Sequence, residues 1–339
     1  MSEIKGHTDF VNTVCKLDDY TVVSGSNDGT VKVWDIKTHE CLFTLNTGGY
    51  ITTLCTLPED RIVSGGLYLK VFEKIGGNYI EKQYGEKENE IIHNKTAVRG
   101  IKSICALPNN EMIVTAPNMF DTDTDLDIWN IHTGGHIHTI KTGHTHGINS
   151  VYILKDMYIV TASSDGIVKL WDFDYTLIDS LPESTYTPIN SDTPITNPVN
   201  AVCGLSDGRI VTGSEDGKLR IWNEKDDVRL FKGHALGIMS VCTFTDNYII
   251  TASHHPIVKM WDIESEQEVL KLQAPTIVTS VCVLGDRYIV AGLINKNLIV
   301  WELKKNYTLT GGLRKLRKKR KTRRKQRILL NKTRNLKRK

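Results

Sequence analysis

The stretch GHTDFVNTVCKLDDYTVVSGSNDGTVKVWDI, residues 6–36, returns as GHTHGINSVYILKDMYIVTASSDGIVKLWDF at 143–173 and as GHALGIMSVCTFTDNYIITASHHPIVKMWDI at 233–263. Three weaker copies end in Trp129, Trp222 and Trp301, and a seventh, the most eroded, ends in Phe72. The end positions Trp34, Phe72, Trp129, Trp171, Trp222, Trp261 and Trp301 lie 38, 57, 42, 51, 39 and 40 residues apart. The basic period is therefore about 40 residues, with insertions in two intervals. Inside one copy, INSVYIL, MYIVTAS and IVKLWDF are β-branched and aromatic runs, separated by Lys155-Asp156 and then Ser164-Asp165-Gly166. These read as short strands joined by turns, and a fourth strand is expected around Leu177 to Leu181. Asp-Gly recurs at Asp28-Gly29, Asp165-Gly166 and Asp216-Gly217, where a tight hairpin needs a residue that accepts positive φ. A sheet of four short strands cannot bury both faces alone, whereas seven stacked around an axis bury one another. The expected fold is all-β, a seven-bladed β-propeller over residues 1–310, followed by a basic tail over 311–339 that is disordered or helical.

Gly-His near the start of a copy and Trp-Asp about 27 residues later resemble the WD-repeat family. The resemblance covers roughly residues 1–303. In that family a His before the first strand, a Ser or Thr in the second, an Asp in the hairpin and the Trp of the third form a hydrogen-bonded chain within the blade. The resemblance assigns these roles to His7, Ser24, Asp28 and Trp34 in the first copy, and to His144, Thr161, Asp165 and Trp171 in the fourth. The physical reason is that a covered indole N–H and imidazole each need a partner, and an Asp that holds the ring fixes its tautomer. The other copies depart from the pattern. The sixth has His234, Thr251 and Trp261 but His255 where the Asp belongs; the fifth keeps Thr212, Asp216 and Trp222 with Ile195 at the His position. The seventh has Ala274 and Asn295, and the second replaces Trp by Phe72. Only two blades are expected to hold the full chain, and the second and third are expected to be the least regular. The outer strand of the last blade is assigned to the N-terminus around Ile4, with Tyr307 to Thr310 as the competing closure.

The chain has 339 residues, 40% apolar and 24% charged, the balance of a soluble globular protein. No apolar run is long enough for a membrane span, and MSEIKGHTDF lacks the basic-then-apolar pattern of a secretory signal, so an intracellular protein is expected. Of 43 Lys and Arg, 18 fall in residues 304–339, which contain no acid; the other 25 face all 39 Asp and Glu in residues 1–303. An acidic body thus precedes a strongly basic tail, and two parts so different have different jobs.

Six of the seven Cys share one register, each following an apolar residue in the first strand of a copy: Cys15, Cys55, Cys105, Cys203, Cys242 and Cys282. Equivalent positions in different blades lie too far apart to bridge, and no C-x-x-C spacing is present, so reduced core thiols are expected. Five His fall at 132, 136, 138, 144 and 146. His136 and His138 would share one side of a strand as a metal pair might, but an outer strand with His144 used inside the blade is the preferred reading. Asp121 to Asp127, DTDTDLD, opens like a calcium loop but has Leu126 where a Gly is needed, so a solvated hairpin insertion is expected. No cofactor, metal or small-molecule substrate is expected, and no nucleophile elbow or phosphate-cradling loop points to catalysis.

The 57-residue interval carries the charged stretch QYGEKENEIIHNKTA, and the 51-residue interval carries Pro182 to Pro198 with four of the nine prolines; both read as surface insertions. In the tail, Arg314, Lys315, Arg317, Lys318, Lys319, Arg320, Lys321, Arg323, Arg324, Lys325 and Arg327 follow a Gly311-Gly312 hinge. Such density suits the phosphates of RNA or a ribonucleoprotein, or a nuclear or nucleolar import signal; a membrane surface fits less well. Aromatic groups are absent after Tyr307, so no base specificity is expected of the tail. The resemblance implies a non-enzymatic interaction platform that holds protein partners on its rims, in the nucleus or nucleolus, with a cytoplasmic setting as the alternative. A second function is a substrate receptor of a cullin-type ubiquitin ligase, whose members carry a basic residue shortly after Trp-Asp; only Trp34, Asp35 and Lys37 match.

Overall fold

The computed structural model describes residues 1–83, 100–117, 124–155, 157–182, 197–222 and 228–303. Met1 to Trp301 form one compact unit. All regular structure among the described residues is strand, in seven antiparallel sheets of four strands each. Blade 1 is β2 (Val11–Lys16), β3 (Thr21–Ser26), β4 (Thr30–Asp35) and β5 (Cys41–Asn46). Blade 2 is β6 (Ile51–Leu57), β7 (Arg61–Gly66), β8 (Lys70–Ile75) and β9 (Asn78–Glu81), and blade 3 is β10 (Ile101–Ala106), β11 (Met112–Pro117), β12 (Leu126–Asn130) and β13 (His136–Ile140). Blade 4 is β14 (Ile148–Leu154), β15 (Tyr158–Ser163), β16 (Ile167–Trp171) and β17 (Leu177–Pro182). Blade 5 is β18 (Val199–Gly204), β19 (Ile210–Ser214), β20 (Leu219–Trp222) and β21 (Val228–Phe231); blade 6 is β22 (Ile238–Thr245), β23 (Tyr248–Ser253), β24 (Ile257–Asp262) and β25 (Gln267–Gln273).

Blade 7 closes the ring. β26 (Val278–Leu284), β27 (Tyr288–Leu293) and β28 (Leu298–Glu302) are completed by β1 (Ser2–Ile4), with Ile4 opposite Leu298. The N-terminus is the strand that fills this slot, and Tyr307 to Thr310 lie outside the described residues. Blades 2 and 3 are complete sheets. The inserted segments expected to disturb them, 84–99 and 118–123, lie outside the described residues.

The core sits between blades. Val23, Val31, Val33 and Leu45 of blade 1 pack with Ile51, Leu54, Ile62 and Phe72 of blade 2, and comparable clusters join later neighbours. Close approach depends on a small residue after the Ser or Thr of the second strand in blades 1 to 6. A Cβ on Gly25 would lie 2.5 Å from the Ile51 side chain, and one on Gly213 would lie 2.4 Å from Ile238. Ala116, Ala162 and Ala252, fully buried, hold the same place in blades 3, 4 and 6. The Asp-Gly hairpins form as the sequence predicts, with Gly29, Gly166 and Gly217 at φ of 78°, 76° and 75°.

One irregularity recurs. The first strand of every blade carries a register shift at its start: Val11/Thr13, Ile51/Thr53, Ile101/Ser103, Ile148/Ser150, Val199/Ala201, Ile238/Ser240 and Val278/Ser280. A β-bulge leaves one residue without a ladder partner and re-aims its side chain. Here the extra residue is Asn12, Thr52, Lys102, Asn149, Asn200, Met239 or Thr279, and all seven line a central channel.

Candidate functional site

In blade 1 the Trp34 indole donates to the Ser24 hydroxyl at 2.7 Å, Ser24 meets His7 Nε2 at 2.7 Å, and His7 Nδ1 meets the Asp28 carboxylate at 2.8 Å. Asp28 opposes ionisation by its burial, yet hydrogen bonds from Thr30, the Thr8 amide and His7 outweigh that and hold it at about 2. Burial pushes His7 down, with Asp28 working against it. Blade 4 repeats the chain: Trp171 to Thr161 at 3.4 Å, Thr161 to His144 Nε2 at 2.8 Å, and His144 Nδ1 to Asp165 at 2.8 Å. These groups are buried inside their blades, where they satisfy one another.

The incomplete blades solve the same problem differently. In blade 6 His234 and Trp261 both reach Thr251 at 2.8 Å, with His255 in the hairpin. Burial, then Lys259 and His255, lower His234 to about 3, so it stays neutral. In blade 5 Trp222 donates to Thr212 at 2.9 Å, and the buried Arg220 donates to Asp216 at 2.8 Å and Ser214 at 3.1 Å. An arginine thus occupies the partner role left open in that blade, while Ile195 lies outside the described residues. In blade 3 Trp129 donates to Thr115 at 2.9 Å, and the buried Asp127 meets His136 at 2.8 Å and Thr139 at 2.6 Å. The end of the acidic stretch is therefore strand and core, not the solvated insertion its composition suggests; residues 121–123 lie outside the described residues. In blade 2 the Phe72 side chain has no N–H, and the buried Ser64 hydroxyl that an indole would have satisfied has no hydrogen-bond partner among the described residues.

His136 and His138 turn to different neighbours. His136 lies edge-on to Trp129 at 5.1 Å, and His138 stacks on Tyr175 of the next blade at 4.6 Å. All seven Cys are free. Of the six in register, Cys203 and Cys282 are buried and the other four are half-buried, a looser placement than the sequence suggests. Burial raises the Cys105 thiol to about 11 and Cys203 to about 12, so these are weak nucleophiles. Lys37 sits over the Tyr20 ring, its Nζ 3.1 Å from the centroid.

The feature that the sequence reading missed is the wall of the channel. Bulge residues donate to carbonyls of the next blade: Asn12 to Ile51 at 2.7 Å, Thr52 to Ile101, Asn149 to Val199 at 3.0 Å, Asn200 to Ile238 at 3.1 Å and Thr279 to Val11 at 2.5 Å. One position further on, hydroxyls accept amides of the next blade: Thr53 from Ile104 at 3.3 Å, Ser103 from Val151 at 3.0 Å, Ser150 from Val202 at 3.4 Å, Ser240 from Val281 at 3.2 Å and Ser280 from Val14 at 3.3 Å. Together the two rings bridge every one of the seven blade interfaces. The signal was present: Val11-Asn12-Thr13-Val14 sets two polar residues between apolar ones, which strict alternation cannot seat and a bulge can. The channel encloses a cavity of about 760 Å3 whose wall also includes Glu215 and His254. The tail residues Arg314 to Arg327 lie outside the described residues.

The model of the WD domain, G-beta repeat, matches residues 1–35, 134–172, 188–223 and 225–262. The DENN domain and WD repeat-containing protein SCD1 of Arabidopsis thaliana is 25% identical over 245 residues, 71% of this chain and 15% of that protein. Ribosome biogenesis protein YTM1 of Phaeosphaeria nodorum is 24% identical over 191 residues, 50% of this chain and 40% of its own. The Ribosome biogenesis protein BOP1 homolog of Aedes aegypti is 28% identical over 124 residues, 34% of this chain and 13% of its own. The chain spans less than two thirds of the length of each of these relatives. One unit is thus met as a sequence period, as a four-stranded bulged blade and, in four of the seven copies, as a match to the model of the WD domain, G-beta repeat.

Proposed function

We propose that the chain is a non-enzymatic scaffold that gathers protein partners on the rims and channel of its propeller, and that its tail, residues 311–339, attaches it to RNA or a ribonucleoprotein. The observation that carries the scaffold reading is the pair of hydrogen-bonded rings bridging all seven interfaces. They fix neighbouring blades, and with them the loops and channel wall, as a rigid surface that binds without first being ordered. The polar groups of the repeat are spent on one another inside the blades. The 16 Lys and Arg of residues 311–339, against the excess acid of residues 1–303, support the nucleic-acid reading by charge alone. Two relatives whose names say ribosome biogenesis support the ribonucleoprotein setting and a nuclear or nucleolar location.

The test is the salt dependence of RNA affinity for the intact chain and for a chain ending at residue 310. The intact protein gives a steep fall of affinity with salt, and truncation flattens the slope. RNA binding that is flat in salt, or unchanged by truncation, overturns the role of the tail. The scaffold reading is tested separately, by co-purification from the native cell of proteins retained by the truncated chain.

A further inference from the structure

The seven bulge residues are equivalent in backbone and unequal in chemistry. Asn12 spends both amide hydrogens, on Asn27 Oδ1 and the Ile51 carbonyl. Asn149 spends them on Ser164 and Val199, and Asn200 on Glu215 and Ile238. Each therefore keeps its carbonyl oxygen, an acceptor, on a residue that lines the channel. Lys102 stands at the same register in blade 3 and makes no hydrogen bond or ion pair with any described residue; its interface to blade 4 is bridged by Ser103 instead. Burial lowers the pKa of this ammonium, as expected for a cation partly removed from water.

We propose that the channel mouth is a binding site for an acidic peptide segment, with Lys102 as the partner of one Asp or Glu side chain and the carbonyl oxygens of Asn12, Asn149 and Asn200 as acceptors for N–H groups beside it. This rests on the scaffold reading and names the chemistry of one partner contact. A lone cation among acceptors matches a carboxylate flanked by N–H donors, which is what an acidic residue on a peptide backbone offers. A phosphoryl group fits less well, since it brings more negative charge and no donors to a wall that already holds the Glu215 carboxylate. The cavity of about 760 Å3 lies within the range of pockets that enclose small ligands, room for a side chain and its adjoining backbone. A half-buried ammonium that gains a carboxylate forms a charge-assisted hydrogen bond stronger than a fully exposed pair.

The experiment uses the full chain and a blocked heptapeptide with one central aspartate, coupled by a carbodiimide that joins amine to carboxylate without a spacer. Mass spectrometry locates the adducts. At about 0.5 M salt the Debye length is under about 8 Å, so long-range attraction to the tail charge is screened more than a short-range contact at Lys102. The expected adduct at Lys102 exceeds the average tail lysine by about tenfold, the ratio that roughly 1.4 kcal/mol supplies. It disappears in Lys102→Met while tail adducts persist, and the asparagine peptide, which has no carboxylate to activate, gives no adduct at any lysine. Labelling of Lys102 no stronger than that of the tail overturns the proposal. Loss of the Lys102 adduct to inorganic phosphate at matched ionic strength reassigns the site to a phosphoryl anion and overturns it too. Lys102→Glu separates this site from the scaffold reading: partners that co-purify equally with wild type and variant leave the scaffold standing and remove the acidic-peptide site.

Discussion

Ser24 and Ser64 hold the same position in blades 1 and 2, are equally buried, and should respond oppositely to loss of the hydroxyl. Ser24 is fully covered and accepts from the Trp34 indole and bonds His7, both at 2.7 Å. Ser24→Ala strands two buried polar groups at about 1–3 kcal/mol each, so a loss of about 2–5 kcal/mol is expected. Ser64 is 1% exposed and its hydroxyl has no partner among the described residues, because Phe72 replaces the indole. Ser64→Ala removes an unpaired buried group and should leave stability unchanged or raise it by about 1 kcal/mol. Urea denaturation followed by tryptophan fluorescence compares the two at equal m. A third variant sharpens the test. Phe72→Trp adds volume to a packed site and costs stability by itself, but it supplies the missing N–H. In a double-mutant cycle with Ser64→Ala the overpacking cancels, and a coupling of about 1 kcal/mol should remain. A loss in Ser64→Ala as large as that in Ser24→Ala, or a cycle with no coupling, would refute the account of why the second repeat is eroded.

Lowering pH from about 6.5 toward 3 should destabilise the fold in part through His234, whose folded pKa of about 3 excludes a proton that the unfolded chain takes up. Stability from this group is present above the unfolded value and lost as pH falls, by at most about 1.4 kcal/mol per pH unit; His234→Gln should flatten the denaturation profile over that window, and an unchanged slope would count against the burial of the ring. Asp28 acts lower, its contribution being lost only as pH falls from about 4 to about 2. Arg220→Met should cost about 1–3 kcal/mol, because Asp216 and Ser214 lose the guanidinium while Asp216 keeps Lys218, and Asp216→Asn in the same chain should recover part of it in thermal melts. Gly66→Ala places a Cβ 1.9 Å from the Tyr50 carbonyl oxygen, so a loss of about 3 kcal/mol or failure to accumulate folded protein is expected by denaturation or soluble yield.

The blade count, the strand order and the Asp-Gly hairpins were legible because the period and the turn chemistry are local. The positions of the four-residue chains in blades 1 and 4 were legible for the same reason, since both repeats keep every member. The substitutions were not. Arg220 and Asp216 lie across a hairpin, and only the pairing of β19 with β20 turns a basic residue two places before Trp222 into the partner of an aspartate. Asp127 and His136 meet only through the pairing of β12 with β13. The channel rings depend on contacts between blades, about 40 residues apart in sequence, which no property of a single repeat encodes.

Three kinds of departure from the repeat now separate on physical grounds. Arg220 departs and finds a partner, so it is a repair within blade 5. Phe72 departs and leaves Ser64 unpaired, so it marks a local loss of stability that the rest of the ring tolerates. That tolerance follows from closure: blade 2 is still tied to blade 3 through Thr53 and to blade 1 through Asn12, so a defect inside one sheet does not open an interface. Lys102 belongs to neither kind. It departs from a bridging bulge residue without finding a partner among the described residues, and Ser103 keeps the interface bridged. A position whose structural duty has passed to its neighbour is free to vary for binding. A charge left in a half-buried wall costs stability unless something else neutralises it. The bulge position of blade 3, unlike the bridging positions around it, is therefore one where sequence change is decoupled from folding, and Lys102 places a net charge there.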